Sequence, residues 1–190
     1  MKEVNGIKFL GEKLMKYQAV FIDRDGTIGG TGHFKHPRDF SPYPFSEEAI
    51  SRLKTSGLRI FAFTNQHRIS RGEVTEDDFI KEFNRLGFEK AYICPHEPEH
   101  QCNCHKPAPG MLIQASREFN LDLSKCIVIG DVGSTDILAA SAVGATKILV
   151  RTGWGEESLG KYRSKWAETE PDYIADNLLD AVIWILDNGE

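Results

Sequence analysis

Short apolar runs alternate with helical periodicity along this chain. Ala19 to Ile22 is uninterrupted and apolar, and it stops at two acids, Asp23 and Asp25. Leu58–Phe63 (LRIFAF), Lys90–Cys94 (KAYIC), Lys125–Ile129 (KCIVI) and Thr146–Val150 are runs of the same kind. Runs this short, with no in-and-out alternation, predict strands buried on both faces. Helices fall between them. Ser46 starts one, with Glu47 and Glu48 in its first turn, Ala49, Ile50 and Leu53 at helical spacing, and Gly57 as its stop. Thr75 caps another, with Glu76, Asp77 and Asp78 in its first turn and Phe79, Ile80 and Phe83 on one face. Pro107 and Pro109 open a third, carrying Met111, Leu112, Ala115 and Phe119. Thr135–Val143 is Ala-rich and closed by Gly144, and Leu178–Leu186 is a last amphipathic stretch. Tyr173 and Ile174 add a short strand, and Thr152–Thr169 is polar with some helical character. Strands alternating with helices predict an α/β fold, a doubly wound, Rossmann-like and mainly parallel sheet with right-handed crossovers.

Three stretches stand outside this rhythm. Residues 1–16 read as an N-terminal lead-in, with Ile7, Phe9, Leu10 and Leu14 available to cover an edge of the core. Gly29–Pro44 (GGTGHFKHPRDFSPYP) is too rich in Gly, Pro and His for a regular helix. A loop of that length beside a strand end is usually a lid or binding loop; His33, His36 and Arg38 would be within reach of an anion, but simple solvation is the stronger reading of each. The third stretch is residues 94–105, CPHEPEHQCNCH. At 190 residues the whole, 1–190, is expected to be one domain.

Charge narrows the function classes. The net charge is −5, with 28 acids against 23 scattered bases, and there is no basic stripe to track a nucleic acid. No apolar run approaches a membrane span. The N-terminus is charged throughout, which argues against a signal peptide and for a cytoplasmic protein. There, four cysteines are better read as metal ligands or packed thiols than as disulfides. Small size and no evident apolar face favour a monomer.

Three of the predicted strands end in polar chemistry: Asp23 and Asp25, then Thr64 and Asn65, then Asp131. A parallel sheet gathers those ends on one edge. Asp136, a turn beyond Asp131, and Lys106, ahead of a helix, reach the same edge. Clustered carboxylates repel one another, and a hard divalent cation relieves that; oxygen ligands of this kind favour Mg²⁺, which often shares its shell with a phosphate. Thr64, Asn65 and Lys106 are suitable donors to such a phosphate.

With DRDGT at 23–27, TNQ at 64–66, HKP at 105–107 and GDVGSTD at 130–136, the chain resembles, over residues 17–151, the haloacid dehalogenase superfamily of phosphohydrolases. The resemblance implies a Mg²⁺-dependent phosphomonoesterase acting on a small phosphorylated metabolite. It makes Asp23 the nucleophile and Asp25 the general acid and base. Thr64, Asn65 and Lys106 would hold the phosphoryl group. Asp23, Asp131, Asp136 and the Asp25 backbone carbonyl would hold the metal. No insert between the motifs is large enough for a cap domain, so a capless member is implied.

Cys94, Cys102 and Cys104 lie close in sequence to several histidines, and Cys₃His is a standard tetrahedral zinc set. His96, His100 and His105 all compete on residue type. Resemblance to the histidinol-phosphate and heptose-bisphosphate phosphatases, which carry a similar C-x-H…C-x-C loop and a TNQxxIxRG segment (here TNQHRISRG), selects His96 and implies a structural zinc. Cys126, inside an apolar run, reads as a packed thiol. The chain departs from that subgroup in three places. His105 stands where Arg is common, Val132 where Lys or Arg is frequent, and four residues rather than three separate Asp131 from Asp136. The two missing bases weaken the case for a doubly phosphorylated sugar, and the short zinc loop looks more like the histidinol-phosphate group. The competing class is a receiver-like signalling module, phosphorylated on Asp without turnover; the D-x-D-G-T order speaks against it.

Overall fold

The computed structural model describes residues 16–189. Apart from Lys16, the expected lead-in, and Ile7, Phe9, Leu10 and Leu14 with it, lies outside the described residues.

Six parallel strands form one sheet in the order β3-β2-β1-β4-β5-β6. They are β1 Ala19–Ile22, β2 Arg59–Asn65, β3 Lys90–Cys94, β4 Cys126–Gly130, β5 Thr146–Val150 and β6 Tyr173–Ala175. The continuous apolar runs are explained by two-sided burial. Every side chain of β1 is fully buried. Val20, Ile22, Ile60, Ile127 and Ile148 face one layer, built with α1 (Ser46–Thr55), α2 (Glu76–Leu86) and α6 (Leu178–Asn188). Ala19, Phe21, Phe61, Phe63 and Val128 face the other, built with α3 (Gly110–Phe119) and α4 (Leu138–Ala142). The doubly wound α/β expectation therefore holds, and no cap domain interrupts it among the described residues.

Strand order reverses between β1 and β4: the chain builds outward through β2 and β3, then returns to β1's other side. In open α/β sheets that reversal opens a crevice at the strands' C-terminal edge. Asp23 and Asp131 follow the two strands that flank it.

Several elements differ from expectation in detail. Ser46 starts α1 as expected, but Phe45 is its N-cap, and the Ser46 hydroxyl donates to the Ile28 carbonyl at 2.7 Å. Thr75 does cap α2, in a reciprocal box with Asp78. Ile80 does not join Phe79 and Phe83 in the core; it is 38% exposed. The polar 152–169 region folds as α5 (Gly155–Leu159) and a short turn ending at Trp166, whose buried indole donates to the Ser158 carbonyl. The helix placed at Thr135–Val143 begins earlier, with a wide π-type turn over Gly133–Ile137 that leads into α4.

The Gly29–Pro44 loop is folded back on the site. Gly29 bridges to Pro42, the Tyr43 hydroxyl donates to the Gly30 carbonyl at 2.7 Å, and Phe40 is buried in the core. No helix among the described residues is long and apolar enough to cross a membrane.

Candidate active site

The turn after β1 is tight because Arg24 O accepts from the backbone N–H groups of Thr27 and Ile28. Gly26 sits in it at φ +92°, and a Cβ there would lie 2.1 Å from Asp131 Oδ2. Only glycine permits both the left-handed backbone and the approach of Asp131. The turn presents Asp23 and Asp25 to a cavity of about 180 Å³. Thr64, Asn65, Gln66, Lys106, Asp131 and Asp136 line the same cavity, so every residue expected at the sheet edge is gathered there.

Lys106 is the hub. Its ammonium donates to Asp23 Oδ1 at 2.7 Å, to Asp136 Oδ1 at 2.6 Å and to the Phe63 carbonyl at 2.9 Å. Burial works against its charge, but Asp136 and Asp23 outweigh that and push its pKa further up. Asn65 fixes the backbone that carries it. Lys106 N–H donates to Asn65 Oδ1 at 3.0 Å, and Asn65 Nδ2 donates to the Lys106 carbonyl at 3.3 Å. The Asn65 amide, expected as a phosphate donor, is thus engaged in seating the lysine.

Asp23, Asp131 and Asp136 place oxygens within 4.8 Å of one another. Burial, reinforced by Asp23 and Asp136, raises the Asp131 carboxyl well above the usual range. Burial likewise lifts Asp136 to about 6, although Lys106 pulls the other way. Asp131 Oδ2 accepts from the Trp154 N–H at 2.7 Å, but Oδ1 is buried with no partner. A buried, unpartnered carboxylate oxygen facing two further acids is costly without a cation and suits a hard divalent ion. The residues present fit Mg²⁺. Asp136 differs from Asp131, because each of its oxygens already accepts a bond, from Lys106 and from the Val132 N–H at 3.0 Å. The extra residue between Asp131 and Asp136 is absorbed by the π-type turn. That wider turn keeps Asp136 in line with Lys106 despite the longer spacing.

Asp25 is held differently. Arg24 Nη1 donates to its Oδ1 at 2.6 Å and Gln66 Nε2 to its Oδ2 at 2.7 Å. Burial raises its pKa despite the opposing Arg24 charge, and Asp23 adds to the rise. A carboxyl raised in this way is suited to holding a proton.

Arg24, Glu82, Thr152 and Trp154 carry no mark of a role in the sequence, and Gln66 has none beyond its place in TNQ. Thr152 Oγ1 donates to the Gly26 carbonyl at 2.6 Å, buttressing the turn. Gln66 was visible inside TNQ, but its partner is 41 positions away. In the long loop, Gly32 and Phe34 reach the cavity. His33 packs edge-on against Trp154, and His36 and Arg38 bond to each other at the surface, so none of these three lines the cavity.

The cysteine cluster lies beyond β3. Cys94, His96, Cys102 and Cys104 bring their ligand atoms within 4.8 Å of one another. The sulfur–sulfur separations are 3.3, 3.3 and 3.6 Å, and His96 Nδ1 lies 3.2 Å from Cys104 and 3.7 Å from Cys94. A tetrahedron with Zn–S bonds of about 2.3 Å has edges of roughly 3.7 Å, so the four atoms are nearly at coordination distances. The three thiols shift in different directions: although burial works upward on it, Cys102 is pulled down to about 6 by bonds from Cys104 and the Cys104 and His105 N–H groups, while burial pushes Cys94 and Cys104 up. His100 and His105 stand outside the cluster, though His105 Nδ1 is 3.7 Å from Cys94 Sγ. Cys126 is the packed thiol expected, its pKa raised to about 12 by burial. Arg71 pairs with Glu97 and ties the TNQHRISRG segment to this loop.

Comparison with known proteins places this geometry. The family model "HAD-hyrolase-like" (Hydrolase_like) matches residues 103–181. A D-glycero-beta-D-manno-heptose-1,7-bisphosphate 7-phosphatase of Vibrio cholerae is 38% identical over 159 residues, covering 73% of this chain and 84% of that one. The chain belongs to the haloacid dehalogenase-like phosphatases. A probable enzyme of the same name from Thermoplasma volcanium is 37% identical over 130 residues, covering 63% and 88% of the two chains. Among solved structures, D,D-heptose 1,7-bisphosphate phosphatase from B. bronchiseptica, complexed with magnesium and phosphate, superposes with a TM-score of 0.76. It is 27% identical and covers 90% of this chain and 98% of its own. The fold and phosphatase expectations stand, and this haloacid dehalogenase-like phosphatase is an enzyme.

If the acidic cluster takes a divalent cation, Mg²⁺ at about a hundredfold over its Kd stabilises the protein by about 2.7 kcal/mol, roughly 5–10 °C in Tm for a chain of this size. In Asp131→Asn that shift is lost, while the metal-free variant melts higher than metal-free wild type at neutral pH. The sign follows from the raised Asp131 pKa: stability present at low pH is lost as pH rises and the buried acid ionises. Thermal melts with and without chelator test it; an undiminished Mg²⁺ shift in the variant counts against the assignment.

Proposed function

We propose that this phosphatase hydrolyses a small phosphorylated sugar of the heptose-bisphosphate class through a phosphoryl group carried on Asp23. The observation that carries the reading is the division of partners: Asp23 is bound to Lys106 within the acidic cluster, while Asp25, two residues on, is held apart from it by Arg24 and Gln66.

Asp23 Oδ attacks phosphorus as the bond to the leaving oxygen breaks. The electron pair goes to that oxygen, which takes the proton of Asp25. Water then attacks the phosphorus of the aspartyl-phosphate, Asp25 takes back a proton, and phosphate and the Asp23 carboxylate are released. Lys106 neutralises charge between nucleophile and phosphate, and Asp136 holds Lys106 in place. Thr64 lines the cavity beside them and accepts from Gln66. Mg²⁺, held by Asp23, Asp131, Asp136 and the Asp25 carbonyl, would supply electrostatic relief of phosphate–carboxylate repulsion. The cavity wall beyond Lys106 carries Arg68, stacked on Phe34 at 4.6 Å, with His67 beside it; Arg68 is already paired through Nη1 with Glu73, so it replaces the bases missing at His105 and Val132 only in part. The case for a sugar with a second anionic group rests on the relatives' names, which stand against the zinc-loop length that favoured a histidinol-phosphate substrate.

Zinc at Cys94, His96, Cys102 and Cys104 would be structural: four protein ligands leave no open position. Purified, chelator-free protein is expected to contain about one zinc per chain, and Cys102→Ser to lose it; zinc-free wild type counts against the site.

The substrate reading is tested by phosphate release in Mg²⁺ over heptose bisphosphates, sugar monophosphates and histidinol phosphate. The highest kcat/KM is expected for a heptose bisphosphate, and Asp23→Asn lowers release at least about a thousandfold on every substrate. A preference for histidinol phosphate would overturn the substrate class, and an active Asp23→Asn the nucleophile.

A further inference from the structure

Arg24 is a fully buried cation between the two working acids. Its Nε and Nη2 donate to Glu82 Oε1 at 2.7 Å and Oε2 at 2.9 Å. Phe40 and Phe79 pack against its guanidinium carbon at 3.9 and 5.0 Å. Glu82 belongs to α2, on the core-facing side that also carries Phe79 and Phe83, and is itself buried. An acid in that position is not explained by stability, because a buried ion pair usually holds a fold together no better than apolar residues of the same volume.

We propose that Glu82 is a positioning residue for leaving-group protonation, acting through Arg24 on Asp25. The inference rests on the reading of Asp25 as the acid. A guanidinium beside a carboxylate tends to pair with it in a two-pronged fork. Such a fork would set two charged N–H donors on Asp25 and favour the carboxylate over the proton it must carry. Glu82 takes the Nε–Nη2 edge of Arg24, so Arg24 gives Asp25 a single charged bond, from Nη1 to Oδ1, and the neutral Gln66 amide supplies the other. Gln66 Nε2 then reaches Oδ2 from the end of β2 and also donates to Thr64 Oγ1 at 3.0 Å. The plane of the Asp25 carboxyl is thereby set from two sides by groups on different elements. A proton delivered to one oxygen and recovered from one water needs that fixed plane, since a misplacement of about 1 Å can cost about a hundredfold in rate.

The test separates protonation from folding. The first-turnover rate of phosphoryl transfer to the enzyme is measured by rapid quench. One substrate is an alkyl phosphate, whose alcohol leaves only with a proton. The other is a dinitrophenyl phosphate, whose phenolate leaves without one. In Glu82→Gln the alkyl rate is expected to fall at least about tenfold more than the aryl rate. Arg24→Met/Glu82→Leu, which keeps the site packed with apolar volume, is expected to show the same bias, and it carries the test if Glu82→Gln does not fold. Equal losses on both substrates, or no loss, overturn the proposal. Asp25→Asn serves as the reference. If it too lacks the bias, the acid role of Asp25 is wrong; if it shows the bias and the Glu82 variants do not, only the positioning role fails.

Discussion

Lys106 is buried between Asp23 and Asp136, and the site is built around that contact. An ammonium out of water costs several kcal/mol unless it is paired, and so does each carboxylate. Here the groups answer one another, but not completely. Three acids stand against one base, and Asp131 Oδ1 has no partner. The residual negative charge suits the edge to a cation. The seated lysine is what holds Asp23 in position. Asn65, the π-type turn at Gly133–Ile137 and the Gly26 turn all serve this contact, by fixing the backbone of one of its members.

Much of this was legible in the chain because it is local. Apolar runs that stop at acids mark strands and their ends together, and a parallel sheet turns separate strand ends into one site. Asp23, Asp25, Thr64, Lys106, Asp131 and Asp136 could therefore be placed without coordinates. The capping box at Thr75 was likewise written in its neighbours. The remainder depends on contacts distant in sequence. Arg24 and Glu82 are 58 positions apart, and Gln66 and Asp25 are 41 apart. Helical periodicity marked Glu82 as ordinary, since nothing in the sequence said that the core beside it held a guanidinium. Ile80 erred in the opposite sense, because period alone does not say how wide the buried stripe is. The π-type turn left only one trace, the longer Asp131–Asp136 spacing, whose structural meaning needed the backbone.

The two loops that flank the cavity set what lies beyond the phosphate. The Gly29–Pro44 loop contributes Gly32 and Phe34 and leaves His33, His36 and Arg38 outside. The cysteine loop precedes Lys106 directly, so a metal held there would also steady the lysine's backbone, which Asn65 clasps from the other side.

The central claim is that Asp23, and no other group, carries the phosphoryl. Mixing Asp25→Asn with an activated aryl phosphate and Mg²⁺, quenching in acid and mapping the phosphoryl by mass spectrometry tests it directly. The account predicts about one phosphoryl per chain on Asp23, persisting because the base that activates water is gone. Aryl alcohol released with no phosphoryl on the protein, or with the phosphoryl on any other residue, would contradict it.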